Sequence, residues 1–105
     1  MAIQKQSLAA AELDWFMTRS GMPANAPLNE HKAAYFAARG FGSNATIFKP
    51  VTQMESEWLS NLTGVTGSHS TPDQWVEAVA KAGLIVSPSM NENRKTYFAN
   101  KTGNP

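Results

Sequence analysis

A short pattern occurs five times along this chain and constrains its fold more than any other feature. Each unit has a leading residue, a pair of bulky or apolar side chains seven and eight residues later, and a closing glycine. Successive pairs are separated by 20, 23, 20 and 19 residues. Such nearly constant intervals between the pairs are typical of a repeat architecture. The units run over Leu8–Gly21, Leu28–Gly40, Val51–Gly64, Thr71–Gly83 and Met90–Gly103.

The spacing within a unit predicts an amphipathic helix, because residues seven and eight apart lie on one face of a 3.6-residue helix. We therefore expect an all-α fold: a small bundle of about five short amphipathic helices built from a repeat of about 20 residues. One helical repeat domain should cover 1–105, with an N-terminal arm at 1–6. The predicted helices are at about 7–20, 27–39, 52–63, 71–82 and 89–101.

Several residues mark the predicted helix ends. Ser7 is an N-cap candidate, and Thr52 with Glu55 and Ser89 with Glu92 have the spacing of capping boxes. The glycine that closes each unit suits the left-handed conformation that commonly follows a helix.

The bulky pairs should form the core, because isolated helices of this length are marginal in water and must bury their apolar faces together. The fourth unit has the smaller pair Ala78 and Val79, and Trp75 on the same helical face can supply the missing aromatic volume. The predicted core is Leu8, Trp15, Phe16, Leu28, Tyr35, Phe36, Val51, Met54, Trp58, Leu59, Leu62, Trp75, Val79, Tyr97 and Phe98.

Composition argues against several classes of function. The net charge is +1 and the nine basic residues form no run longer than two, so no nucleic acid partner is expected. The chain has no cysteine, and its two histidines, His31 and His69, are 38 residues apart, so neither a metal site nor a cofactor is expected. No apolar stretch approaches the ~20 residues that span a membrane. We expect His31 to be partly exposed near a helix start and His69 to lie in a loop.

The acidic residues have a structural interpretation. Four of them, Glu30, Glu55, Asp73 and Glu92, fall in predicted first helical turns, where a carboxylate favours the helix dipole. No serine has the context of a nucleophile elbow. We therefore predict no catalytic residues and no enzymatic activity.

The insertion Phe41 to Pro50 makes one interval longer than the others. Ile47 and Phe48 lie in this otherwise polar stretch and outside the repeat. They are candidates, together with Phe41, for binding a partner protein, although a local packing role is an equal alternative for Ile47 and Phe48.

The second and fifth units carry a more specific pattern. Pro27-Leu28-Asn29-Glu30 and Ser89-Met90-Asn91-Glu92, each followed by an aromatic pair and glycine, resemble a tandem motif of roughly Ser-Leu-Asn-Asp, aromatic pair and glycine. That motif occurs in virion structural proteins of tailed bacteriophages. The other three units keep only the pair and the glycine.

The resemblance implies a noncatalytic virion component, either an accessory or minor capsid protein or a tail-associated protein. Its partners would be other virion structural proteins, such as the major capsid or tail protein, or further copies of itself. It would be made in the host bacterial cytoplasm and end in the virion.

Two other functions fit an all-helical chain of this size. A cell-surface glycan-binding module would line a groove with its aromatic side chains. A small DNA-binding regulator would use two helices joined by a short turn.

Overall fold

The computed structural model describes residues 7–65 and 71–100, and this part of the chain contains five α-helices and no strand. The all-α prediction is confirmed, with each helix within about two residues of its predicted bounds. The predicted arm at 1–6, His69 and Gly103 lie outside the described residues. The helices are α1 (Leu8–Ser20), α2 (Leu28–Ala38), α3 (Val51–Thr63), α4 (Thr71–Lys81) and α5 (Met90–Ala99).

The five helices form a closed ring. Each helix packs its backbone closely against that of the next along the chain, and α5 packs in the same way against α1. Every helix therefore has two neighbours and turns one stripe of its surface towards a common centre.

The same four positions of each unit make that stripe. Counting the leading residue as position 1, positions 4, 5, 8 and 9 are buried in every helix, except that position 5 is partly exposed in α3 and α5. Positions 4 and 8, and likewise positions 5 and 9, are about one turn apart, so all four lie on one face of the helix. Four leading residues are half-buried, whereas Thr71 in α4 is exposed.

Aromatic side chains at positions 8 and 9 fill the centre of the ring. The ring of Trp15 lies 5.0 Å from that of Tyr35 and 5.3 Å from that of Phe98, so helices that are distant in sequence meet here. Trp75 is 1% exposed and its ring lies 5.4 Å from that of Phe98 and 6.5 Å from that of Trp58. The predicted contribution of Trp75 to the aromatic core is thus confirmed.

The core prediction was wrong for Leu62, which is 37% exposed. This residue lies one turn beyond Trp58 on α3. The leading residues Leu8, Leu28 and Val51 pack against the core from its edge and are only partly buried.

Position 5 carries an unpredicted charged quartet, defined as Glu12, Lys32, Glu55 and Arg94. Glu12 Oε2 accepts hydrogen bonds from Lys32 Nζ at 2.9 Å and from Arg94 Nη2 at 2.7 Å. Glu55 Oε1 accepts one from Lys32 Nζ at 2.8 Å, while Arg94 Nη2 lies 3.7 Å from Glu55 Oε2. The quartet joins four of the five helices, and each charge has a neighbour of opposite sign.

His31 at position 4 corrects a second expectation. Its side chain is 0% exposed rather than partly exposed, and Nδ1 lies 2.7 Å from Ser20 Oγ. The hydrogen bond ties α2 to the end of α1 and satisfies one nitrogen of the imidazole, whereas Nε2 is buried without a hydrogen-bond partner.

Gln74 and Asn93 use position 4 in the same way. Gln74 Nε2 donates to the carbonyl of Val65 at 3.0 Å. The amide of Asn93 accepts from the N–H of Ser87 and donates to its carbonyl, both at 2.8 Å. Each side chain satisfies backbone groups of the connection that precedes its helix, so the connection is fixed to the helix.

The caps agree with the sequence in part. Ser7 and Ser89 each accept a hydrogen bond from the backbone N–H three residues later, at 3.1 and 3.3 Å. The capping box predicted for Thr52 and Glu55 was wrong, because α3 begins one residue earlier, after Pro50, and Glu55 belongs to the charged quartet. The closing glycines of the first four units all have positive φ, between 75° and 89°, as predicted.

Candidate functional site

The α2–α3 connection contains a tightly bonded turn. Ser43 Oγ accepts from the N–H of Lys49 at 2.7 Å and donates to its carbonyl at 3.0 Å. Inside this closure, Asn44 Oδ1 accepts from the N–H groups of Thr46 and Ile47 at 2.9 and 2.8 Å. The N–H of Asn44 also donates to the carbonyl of Ile47 at 2.8 Å. The turn from 43 to 49 is therefore shaped by its own hydrogen bonds.

This turn presents two apolar side chains to solvent, which we call the apolar tip (Ile47 and Phe48). Phe48 is 84% exposed and Ile47 is 52% exposed. Phe41, the third predicted partner-binding residue, is half-buried and packs against the core. It is therefore not part of the apolar tip. Lys49 Nζ donates to Glu57 Oε1 at 2.8 Å and ties the turn to α3.

The contact with Lys49 lowers the pKa of the Glu57 carboxyl. Hydrogen bonds from Lys49 and, second, from Gln53 hold the pKa of its carboxyl below the usual value of 4.5. The carboxylate is therefore ionised near neutral pH, and the ion pair that ties the turn to α3 is intact there.

A second exposed apolar pair lies in the α4–α5 connection and was missed by the sequence analysis. Ile85 is 88% exposed and Val86 is 40% exposed, beside Leu84, which packs against the core. The sequence signal is the apolar run that directly follows Gly83, outside the repeat pattern.

Four carboxylates were predicted to lie in first helical turns. Glu30, Asp73 and Glu92 lie in first helical turns, as predicted. The prediction was wrong for Glu55, which is the fifth residue of α3 because that helix begins at Val51. Glu55 instead shares the ammonium group of Lys32 with Glu12. Among the described residues no group of three or more His, Cys, Asp or Glu is placed to hold a metal ion.

A cleft of about 410 Å³ lies between α2, α3 and α5, with Tyr35, Trp58 and Tyr97 among its walls. These three aromatic residues are only 3–5% exposed, so little of their ring surface is open to a ligand. The guanidinium of Arg39 stacks 4.0 Å from the centre of the Tyr35 ring at the cleft margin. The cleft does not provide the flat aromatic platform on which a sugar ring would stack.

In comparisons with protein-family models, curated proteins and solved structures, no match to this chain is found. None of the described helices has the length and apolar character needed to cross a membrane.

Proposed function

We propose that this chain is a noncatalytic docking domain, a structural component of a bacteriophage particle that serves as an accessory or minor capsid protein or as a tail-associated protein. The observation that carries the proposal is the apolar tip, in which Phe48 is 84% exposed on a turn closed by its own hydrogen bonds.

The energetics favour a docking role for this tip. Full burial of a Phe or Ile side chain is worth about 1.5–3 kcal/mol, which is unrealised while Phe48 faces water. A turn that is already ordered loses little conformational entropy on binding, so more of that free energy appears as affinity. Aromatic side chains that enter a partner's pocket are typical anchors of protein interfaces.

The phage setting is supported by the motif shared by the second and fifth units. The partner under this proposal is a major capsid or tail protein with a pocket for the apolar tip. Another copy of this chain is an alternative partner for the apolar tip.

The test replaces Ile47 and Phe48 with serine together. We expect the double variant to keep its helical circular dichroism, because neither side chain is in the core, and to be lost from purified particles. Val76→Ser is the matched control, since Val76 is also an exposed apolar residue, at 37%, but lies on α4.

Two outcomes would overturn the proposal. One is normal incorporation of the double variant into particles, measured by quantitative mass spectrometry. The other is absence of the unaltered protein from purified particles of the phage that encodes it.

A further inference from the structure

The α4–α5 connection and α5 form a groove on the surface of the molecule, which we call the α4–α5 groove. Its volume is about 560 Å³. Leu84, Ile85 and Val86 give it apolar surface, and Glu92 and Thr96 of α5 also line it. Ile85 is 88% exposed and Val86 is 40% exposed, so this apolar surface is open to a partner.

Hydrogen bonds fix both ends of the apolar part of the groove. The N–H of Leu84 donates to the carbonyl of Val79 on α4 at 3.1 Å. The side chain of Asn93 on α5 bonds to the N–H and to the carbonyl of Ser87, both at 2.8 Å. The groove is therefore ordered before a partner binds, which keeps the loss of conformational entropy on binding small.

Glu92 gives the groove its charge. It is the one ionisable residue among the described residues that line the groove. Its side chain is exposed and makes no ion pair with another described residue. A surface with an apolar side chain next to a basic one would complement the groove.

One exposed apolar site on this chain has that chemistry. Outside the groove, the exposed large apolar residues of the described chain are Leu13, Ile47, Phe48, Leu62 and Val76. Phe48 is followed by Lys49, whereas Leu13 and Val76 are each followed by an acid and Leu62 has uncharged neighbours in sequence. Charge complementarity thus selects the apolar tip.

Lys49 can accept a second carboxylate without losing its first. Its ammonium group donates to Glu57 at 2.8 Å and has two further N–H donors. Lys32 shows the same sharing, since its ammonium group donates to two carboxylates of the charged quartet at 2.9 and 2.8 Å. A carboxylate from outside can therefore join Lys49 while the turn stays tied to α3.

We propose that the apolar tip of one copy binds the α4–α5 groove of a second copy, with Phe48 against Ile85 and Val86 and with Lys49 beside Glu92. The contact rests on the proposed docking role of the tip and gives the tip its partner. Tip and groove are unlike surfaces on different connections, so copies join head to tail into rows or closed rings. The last tip of a row stays free for a capsid or tail protein.

The first test measures the mass of the purified full chain by sedimentation equilibrium at concentrations up to about 1 mM, which detects a Kd of that order. We expect the average mass to rise above the 11.4 kDa of one chain. The tip variant (Ile47→Ser with Phe48→Ser) and the groove variant (Ile85→Ser with Val86→Ser) should stay monomeric. Leu13→Ser, the control, should associate like the unaltered chain. A constant monomer mass of the unaltered chain overturns the proposal.

Mixing the two variants tests which surfaces meet. The groove variant keeps an intact tip and the tip variant keeps an intact groove, so their mixture should form a 1:1 dimer. Self-association of the groove variant alone, or no dimer in the mixture while both variants keep their helical circular dichroism, overturns the proposal. If the unaltered chain is monomeric but the tip variant is still lost from particles, the docking role stands and the second copy is excluded as its partner.

A pair of charge variants tests the contact between Lys49 and Glu92. Glu92→Gln should raise the Kd of self-association by roughly two- to fivefold, since an exposed ion pair is lost. Glu30→Gln is the matched control, because Glu30 is exposed at the same place in the first turn of α2 and does not line the groove. Equal Kd values for the two variants overturn the choice of the tip as the occupant.

Discussion

Tyr35 shows how one side chain combines opposing influences on its ionisation. Burial raises the pKa of its phenol above the ordinary value of 10.0, and this is the largest effect. The charges of Arg39 and Arg19, and hydrogen bonding from Trp58 and Arg39, act in the opposite direction. Burial prevails because the side chain is 3% exposed and the phenolate would lose most of its hydration.

This raised pKa predicts a loss of stability at high pH. In the unfolded chain the phenol ionises near pH 10, while in the folded chain it stays protonated to higher pH. The contribution of the Tyr35 phenol to the free energy of unfolding is therefore constant below the pKa of the unfolded state. It is lost as the pH rises towards the pKa of the folded state. We expect the free energy of unfolding to fall less between about pH 8 and about pH 11 in Tyr35→Phe than in the unaltered chain.

Urea denaturation at the two pH values measures this difference. The comparison within each protein removes any loss of stability that the substitution itself causes at neutral pH. An equal fall in both proteins contradicts the assignment of the effect to Tyr35.

At the scale of the element, position 4 connects each helix to the segment that precedes it. His31, Gln74 and Asn93 are buried polar residues on three different helices, and each bonds to the end or the connection before its own helix. The connections are thus defined by the helices that follow them, and not only by the glycines that close the preceding ones.

Asn93→Leu should destabilise the protein by about 1–3 kcal/mol, because the N–H and the carbonyl of Ser87 lose their partner in a partly buried place. Asn91→Leu on the same helix is exposed and should change stability by no more than about 0.5 kcal/mol. Chemical denaturation gives both values. Equal effects of the two substitutions would show that the contacts with Ser87 contribute nothing to stability.

At the scale of the whole molecule, the charged quartet joins α1, α2, α3 and α5 across the ring. Both carboxylates share the ammonium group of Lys32, and Arg94 bonds to Glu12 across the contact between the first and last helices. The quartet thus depends on the ring being closed.

Charge reversal tests this arrangement. Glu12→Lys with Lys32→Glu preserves their mutual pairing but places like charges at the α1–α5 and α2–α3 contacts, so we expect a loss of roughly 3–5 kcal/mol. Adding Glu55→Lys and Arg94→Glu restores opposite signs at every contact and should recover part of that loss. Thermal and chemical denaturation give the comparison, and a quadruple variant no more stable than the double one contradicts the role of sign.

Much of the fold was predictable from the sequence, because the helix count, the helix bounds and the aromatic centre all follow from the spacing of the bulky pairs. Positions 4 and 5 were not predictable in this way. A histidine, lysine or glutamate one turn before the pair is a residue type usually found exposed to solvent. Its burial here depends on partners from other helices. The place of Ile47 and Phe48 outside the repeat made them candidates for a partner contact or for local packing. Their exposure and the half-burial of Phe41 both depend on tertiary packing, which the sequence pattern does not give.

The number of helices has a consequence for position 5. Two signs cannot alternate around a closed cycle with an odd number of members, since one pair of like signs must meet. Trp75 removes this conflict: an acid at that place would face Glu55, and a base would face Arg94, whose guanidinium instead lies 5.7 Å from the centre of the Trp75 ring. With a neutral fourth member the four charges alternate in sign, and Glu55 and Arg94, on either side of Trp75, meet as opposite charges at 3.7 Å. A ring of four or six such units could alternate charges at position 5 without a neutral member. A neutral side chain such as that of Trp75 is therefore expected in a ring with five helices.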